Sequence, residues 1–99
     1  MTYSEFHSAC ETGTLPPSAS ELLRSLYEDR RDDWDRAHTI AQGIHTADGS
    51  LVHAYLHRKE GDLSNAGYWY SRAGTEVPAM ELDAEWEALA RRFTDGPST

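Results

Sequence analysis

The chain has 99 residues, enough for one domain with a single modest core. Its 17 acidic residues outnumber its 9 basic residues, and the formal net charge is −8. This balance argues against nucleic-acid binding by phosphate neutralisation and against attraction to anionic membranes. No apolar stretch approaches the roughly 20 residues that span a bilayer, and the chain start lacks a signal-peptide pattern. Because the single cysteine, Cys10, cannot form an internal disulfide, we expect a cytoplasmic protein.

Two capping boxes open the predicted helices in the first third of the chain. Thr2 with Glu5 begins a first helix, which is expected to end at Gly13. Ser18 with Glu21 begins a second helix, after the chain break at the preceding prolines.

The later helices are bounded by other capping and turn residues. Asp32 or Asp33 caps a third helix that runs to about Ile44, and Asp48-Gly49 marks the next turn. Further helices are expected at about residues 50–60, at about residues 63–73 and from Pro78 onwards.

These segments predict an all-α fold. We expect a single domain over residues 1–99, a compact bundle of five or six short helices built from antiparallel hairpins, with a frayed tail at residues 95–99. Helical spacing predicts that the large apolar side chains form the core, namely Trp34, Leu56, Trp69, Tyr70, Trp86 and Leu89.

A short internal repeat supports the hairpin interpretation. The segment from Asp33 to Ala37 aligns with the segment from Asp62 to Ala66, at an offset of about 29 residues. The second copy resembles a tetratricopeptide repeat through its small residues, one tyrosine and a closing proline, namely Ala54, Ala66, Tyr70, Ala73 and Pro78. The usual Trp and Gly positions of that repeat hold Ser50 and Ala54 instead. The resemblance implies a tetratricopeptide-like helix pair at the centre of the bundle.

The stretch from Trp34 to Gly74 also resembles a family of small bacterial proteins. The residues that carry this resemblance are Trp34, Ala37-His38, Gln42, the run His53 to Arg58, Glu60-Gly61-Asp62, Asn65-Ala66, Tyr68-Trp69-Tyr70 and Arg72-Ala73-Gly74. The resemblance implies no activity, because none is attached to that family.

Histidines are concentrated in the third and fourth predicted helices. His53, His57 and Glu60 have i, i+4, i+7 spacing, so they line one stripe of the fourth helix. If the third helix pairs with it antiparallel, His38 lies level with His57, and Gln42 lies level with His53. Three imidazoles and a carboxylate then converge, which is typical of a divalent-metal site.

The same segments permit three other interpretations. A histidine oriented by Glu60, with Arg58 holding an anion, would suit acid–base chemistry or ligand binding. A protein-binding groove would be lined by the aromatic side chains of the hairpin, Tyr55, Tyr68, Trp69 and Tyr70. Alternatively, buried histidines with satisfied hydrogen bonds have a purely structural role.

From these patterns we expect a binding or interaction module. Its protein partner or small polar ligand would meet a surface formed by His38, Gln42, His53, His57, Arg58, Glu60, Tyr68 and Trp69. The alternative is a metal-binding protein or metal-dependent enzyme, in which a divalent ion is held by His38, His53, His57 and Glu60. No complete catalytic motif is present, so the sequence decides neither whether the protein is an enzyme nor its oligomeric state.

Overall fold

Six helices account for most of residues 1–95, the part of the chain that a computed structural model describes. They are α1 (Tyr3–Thr12), α2 (Glu21–Arg30), α3 (Trp34–Gln42), α4 (Ala47–Glu60), α5 (Leu63–Arg72) and α6 (Leu82–Phe93). Within these 95 residues there is no strand, only an isolated bridge between Thr2 and Asp95. The predicted all-α class is confirmed, and the radius of gyration of 12.7 Å is that of a compact bundle. None of the six helices is long and apolar enough to cross a membrane.

Both ends of the described chain meet at one point of the surface. The Asp95 carboxylate accepts a hydrogen bond from the N-terminal amine of Met1 at 2.6 Å, and the Asp95 backbone N–H donates to the Met1 carbonyl at 2.9 Å. Asp95 is the first residue of the predicted frayed tail. The rest of the predicted frayed tail, residues 96–99, lies outside the described residues.

Two helical hairpins, α2–α3 and α4–α5, have turns of the same geometry. Each turn places a left-handed residue directly before an aspartate cap, with Asp32 (φ 66°) before Asp33 and Gly61 (φ 91°) before Asp62. Both aspartates accept the backbone N–H three residues further on, at 3.0 and 3.2 Å. The internal repeat of the sequence therefore corresponds to two copies of one helix–turn–helix unit, while the tetratricopeptide resemblance stays a prediction.

Small residues let the helices of each hairpin approach closely. Between α2 and α3, the buried Ser25 hydroxyl donates to the Ala37 carbonyl at 2.7 Å. Between α4 and α5, Ala54 and Ala66 are fully buried and form a small apolar cluster with Tyr70. The larger core lies on the other side of α4, where α1, α2 and α6 contribute Phe6, Leu26 and Trp86 among others.

The second helix begins later than its predicted capping box. Ser20, not Ser18, is the cap, and its hydroxyl accepts the Leu23 N–H at 3.2 Å. The residues before it form a separate turn, in which the Ala19 N–H donates to the Pro16 carbonyl at 3.0 Å. Ser18 lies inside that turn, before the first residue of the helix, so the prediction of a Ser18 cap was wrong.

The turn predicted at Asp48-Gly49 was also wrong, since both residues lie in the first turn of α4. The Thr46 hydroxyl caps this helix by accepting the Gly49 N–H at 3.0 Å, and an acidic residue is favourable at this end of a helix. Gly49 serves close packing rather than a turn, because an added Cβ would lie 2.1 Å from the Ile44 carbonyl oxygen. The chain reverses at residues 43–46 instead, and α4 gains three residues over the prediction.

The expected core is confirmed for four of its six side chains, namely Leu56, Tyr70, Trp86 and Leu89. The other two, Trp34 and Trp69, are only partly buried. Each of them stacks on an imidazole, Trp34 on His38 and Trp69 on His53.

Candidate functional site

The centre of the candidate site is a cluster of three histidines between α3 and α4, referred to below as the histidine cluster and made of His38, His53 and His57. All six residues from Val52 to His57 are buried, because α4 packs against other helices on two sides. The apolar side chains of this run fill the core, and the two histidines turn toward α3 and α5. Burial on both faces of α4 is what brings the two imidazoles inside the protein.

The three imidazoles are in mutual contact. The Nε2 atoms of His38 and His53 lie 2.9 Å apart, which is a hydrogen bond in which one ring donates and the other accepts. The centroid of the His38 ring lies 4.6 Å from that of His53 and 5.0 Å from that of His57. His38 therefore lies between the two α4 histidines rather than level with His57 alone. The difference arises because the chain reverses at residues 43–46, earlier than the predicted turn at Asp48-Gly49, which shifts the register of α3 against α4.

Two tryptophans hold the rings of the cluster from outside. Trp34 stacks almost parallel on His38, with centroids 4.9 Å apart, and its indole N–H donates to the Leu56 carbonyl at 2.8 Å. Trp69, from α5, stacks on His53 with centroids 4.1 Å apart. Such packing restricts ring rotation, so the nitrogen positions are set before any ligand arrives.

Glu60 orients the third imidazole. Its Oε2 lies 2.6 Å from Nδ1 of His57, so Nδ1 carries the proton and Nε2 is left for the cluster. A carboxylate in this position fixes the tautomer and the ring orientation of a histidine. Glu60 thus contacts the cluster only through His57. Its carboxylate lies close to His57 and Asp62, and it does not belong to the group of ligand atoms that His38, His53 and His57 form.

The surroundings favour neutral imidazoles. Burial lowers the pKa of His53 to about 4, with smaller contributions from the nearby His38 and His57 rings. Burial, followed by the charge of His57, also lowers the pKa of His38. Neutral imidazole is the form that binds metal ions, so near pH 7 these two rings are ready to act as ligands.

We expect the metal-free protein to lose stability as the pH falls from 6.5 toward 4. In this range the unfolded chain takes up a proton on His53 that the folded chain does not, so protonation favours unfolding by up to about 3 kcal/mol. Urea unfolding in chelator at several pH values measures the effect. His53→Asn should show a shallower decline over the same range, and an unchanged slope would contradict the pKa shift.

An open pocket of about 530 Å³ lies directly beside the cluster, between the α3–α4 connection and α5. His53 and Trp69 form one wall, and Arg72 of α5 forms part of another. Gln42 and His45 are both exposed and line the rim. Gln42 therefore lines the same pocket as His53, close to the position expected for it, and it is not part of the histidine cluster.

Arg58 is directed away from the cluster. Its guanidinium binds the Glu85 carboxylate at 2.7 Å and also donates to the Met80 carbonyl. Glu85 is 4% exposed and accepts a second hydrogen bond, from the Tyr70 hydroxyl at 2.5 Å. This buried network ties α4, α5 and α6 together, so Arg58 is not available to hold an anion near the histidines.

The expected aromatic groove is not continuous. Tyr55 and Tyr70 are buried, and the Tyr55 hydroxyl donates to the buried Asp29 at 2.8 Å. Only Tyr68, which is 53% exposed, and the partly buried Trp69 reach the surface. A groove lined by all four aromatic residues was therefore a wrong expectation.

The structure adds residues that the sequence interpretation missed. One of them is Arg72, whose guanidinium lies against Tyr68 and Trp69. The spacings i, i+4 and i, i+3 along α5 were the available signal for these contacts. Cys10 is buried, and burial raises the pKa of its thiol to about 11, which makes it a poor nucleophile.

Comparisons with protein-family models, with curated proteins and with solved structures found no match to the chain.

Proposed function

We propose that this protein binds a divalent transition-metal ion, with Zn²⁺ as the reference case, through His38, His53 and His57. The observation that carries the proposal is that each histidine offers a ligand nitrogen within 4.8 Å of the other two. Imidazole nitrogen is a preferred ligand of such ions, and His53 and His57 are spaced i, i+4 on one rigid helix.

The spacing of the nitrogens suits a tetrahedral ion after a small adjustment. With Zn–N bonds of about 2.0–2.1 Å, two ligand nitrogens lie about 3.3–3.4 Å apart. The two Nε2 atoms of His38 and His53 would separate slightly from their 2.9 Å contact, and His57 would move inward. The ion would then replace the proton that these two rings now share.

The surroundings of the cluster favour binding over a purely structural role. A structural histidine pair needs one hydrogen bond, whereas here three rings converge and one of them is oriented by Glu60, as in carboxylate–histidine–metal arrangements. Three protein ligands leave one coordination position for water or another small ligand. Glu60 supports His57 in this proposal and is not itself a ligand.

The proposal predicts one equivalent of Zn²⁺ per chain in untagged protein, with loss of binding when the cluster is altered. We expect His53→Ala and His57→Ala each to weaken Zn²⁺ binding by at least about 100-fold, because two ligands cannot replace three. Isothermal titration against a competing chelator measures the affinity, and elemental analysis gives the stoichiometry. Co²⁺ substitution would report tetrahedral geometry through its visible absorption.

Two control variants separate this site from adventitious binding. His7→Ala removes an exposed histidine that pairs with Glu11 on α1, far from the cluster in sequence, and should leave the affinity unchanged. Glu60→Gln should weaken binding by about 10-fold, since it removes the orienting carboxylate and keeps all three ligands. Binding that survives both cluster variants, or that falls equally in His7→Ala, would contradict the proposal.

A further inference from the structure

The pocket beside His53 differs in charge from the rest of this acidic protein. The whole chain contains 17 acidic residues among 99, yet none of the residues that line the pocket is acidic. Asp48 lies in the adjoining first turn of α4, but its carboxylate turns away and accepts from Arg92 Nε of α6 at 3.0 Å. The pocket therefore presents one cation, Arg72, without a carboxylate beside it.

The Arg72 guanidinium is held in place by aromatic rings. Its central carbon lies 5.6 Å from the Trp69 ring centroid and 5.9 Å from that of Tyr68, and one amino group donates to the Tyr68 hydroxyl at 3.2 Å. Within residues 1–95 no carboxylate oxygen lies in ion-pair range of this guanidinium. A guanidinium has five N–H donors, so most of them stay available to an incoming oxyanion.

Next to this cation the pocket has an apolar wall and room for a small molecule. Trp69 and Ile44 both line the pocket, and Ile44 is pressed against α4 at Gly49. The volume of about 530 Å³ is far more than a single inorganic ion requires, and it falls in the range of small-molecule sites. Polar groups on the rim, the Gln42 amide and the Ser50 hydroxyl, complete a mixed surface.

We propose that this pocket binds a small organic carboxylate, with its carboxylate on Arg72 and its apolar body against Trp69 and Ile44. A bidentate contact with the guanidinium would supply orientation, and the apolar wall would supply additional binding energy. The inference goes beyond metal binding and does not depend on it, because none of these three residues belongs to the histidine cluster. It gives a chemical class to the small polar ligand that the sequence suggested.

Benzoate, with its neutral isostere benzamide, tests the proposal on metal-free protein in chelator. We expect benzoate to bind and to shift the NMR signals of the Trp69 indole and the Ser50 amide. Benzamide should bind at least about tenfold more weakly, because it lacks the charge that Arg72 recognises. Since no metal is present, the outcome is independent of the Zn²⁺ titrations.

Two substitutions locate the anion. Arg72→Gln should remove the preference for benzoate over benzamide, and Gln42→Glu should weaken benzoate alone by placing a carboxylate on the rim. Arg91→Gln is the matched control, because Arg91 is a similarly exposed arginine that pairs with Glu87 on α6. Absence of benzoate binding to the wild-type protein, or equal benzoate binding in the folded Arg72→Gln variant, would overturn the proposal. Inorganic phosphate that binds as tightly as benzoate would also overturn it, since phosphate has no apolar body.

Discussion

Trp86→Ala is expected to lower the free energy of unfolding by about 3–5 kcal/mol. The Trp86 side chain is 1% exposed and stacks on Phe6 of α1, with ring centroids 5.7 Å apart. Its indole N–H donates to the Leu26 carbonyl of α2 at 3.1 Å, and the guanidinium of Arg30 lies 3.9 Å from the ring centroid. One side chain of α6 thus fixes that helix to both α1 and α2, so truncation leaves a cavity and removes the hydrogen bond to α2.

Urea unfolding followed by far-UV circular dichroism measures this loss. Trp86→Phe serves as the comparison, because it keeps an aromatic ring against Phe6 but loses the indole hydrogen bond. We expect Trp86→Phe to lower the free energy of unfolding less than Trp86→Ala does. Both variants lose the hydrogen bond, but the phenylalanine ring still fills part of the cavity. A loss below about 1 kcal/mol for Trp86→Ala would show that α6 does not pack as the structure has it.

Glu85→Ala is expected to cost a similar amount, about 3–5 kcal/mol, for an electrostatic reason. The Glu85 carboxylate is buried and satisfies both the Arg58 guanidinium at 2.7 Å and the Tyr70 hydroxyl at 2.5 Å. Arg58 is itself largely buried, with a side-chain exposure of 18%. Removing the carboxylate leaves a cation and a hydroxyl without their partner in a poorly solvated place, which costs more than the pair contributes when intact.

A double-mutant cycle with Arg58→Ala tests that explanation. The two single variants should each be destabilised, and the double variant should lose at least about 1 kcal/mol less than their sum. Glu87→Ala is the matched control on α6, because its ion pair with Arg91 is half exposed and should contribute less than about 1 kcal/mol. Strict additivity of Glu85→Ala and Arg58→Ala would contradict a coupled buried pair.

The composition of the histidine cluster could be predicted from the sequence, because helical spacing decides which residues share a face. His53 and His57 are one turn apart on α4. The connection from α3 to α4 is short, so α3 lies beside α4 and His38 can be expected to contact both histidines. The partner of Arg58 could not be predicted in this way. The partner depends on where α6 packs after the long connection that follows α5. Glu85 is also the neighbour of Trp86 in the sequence, and an acidic residue beside a core tryptophan gives no local sign of its partner.

The sequence by itself determined the elements whose signals are local. The Thr2–Glu5 box, the Asp33 and Asp62 caps and the glycine stops act within a few residues, so the helices and the repeated hairpin could be predicted from them.

The tertiary structure decided which of two competing local signals prevailed and what meets across the bundle. At Gly49 close packing against Ile44 outweighed the turn propensity, and across the bundle Arg58 of α4 met the Glu85 carboxylate of α6. Such outcomes depend on the energies of contacts between residues distant in the chain, which local spacing does not encode.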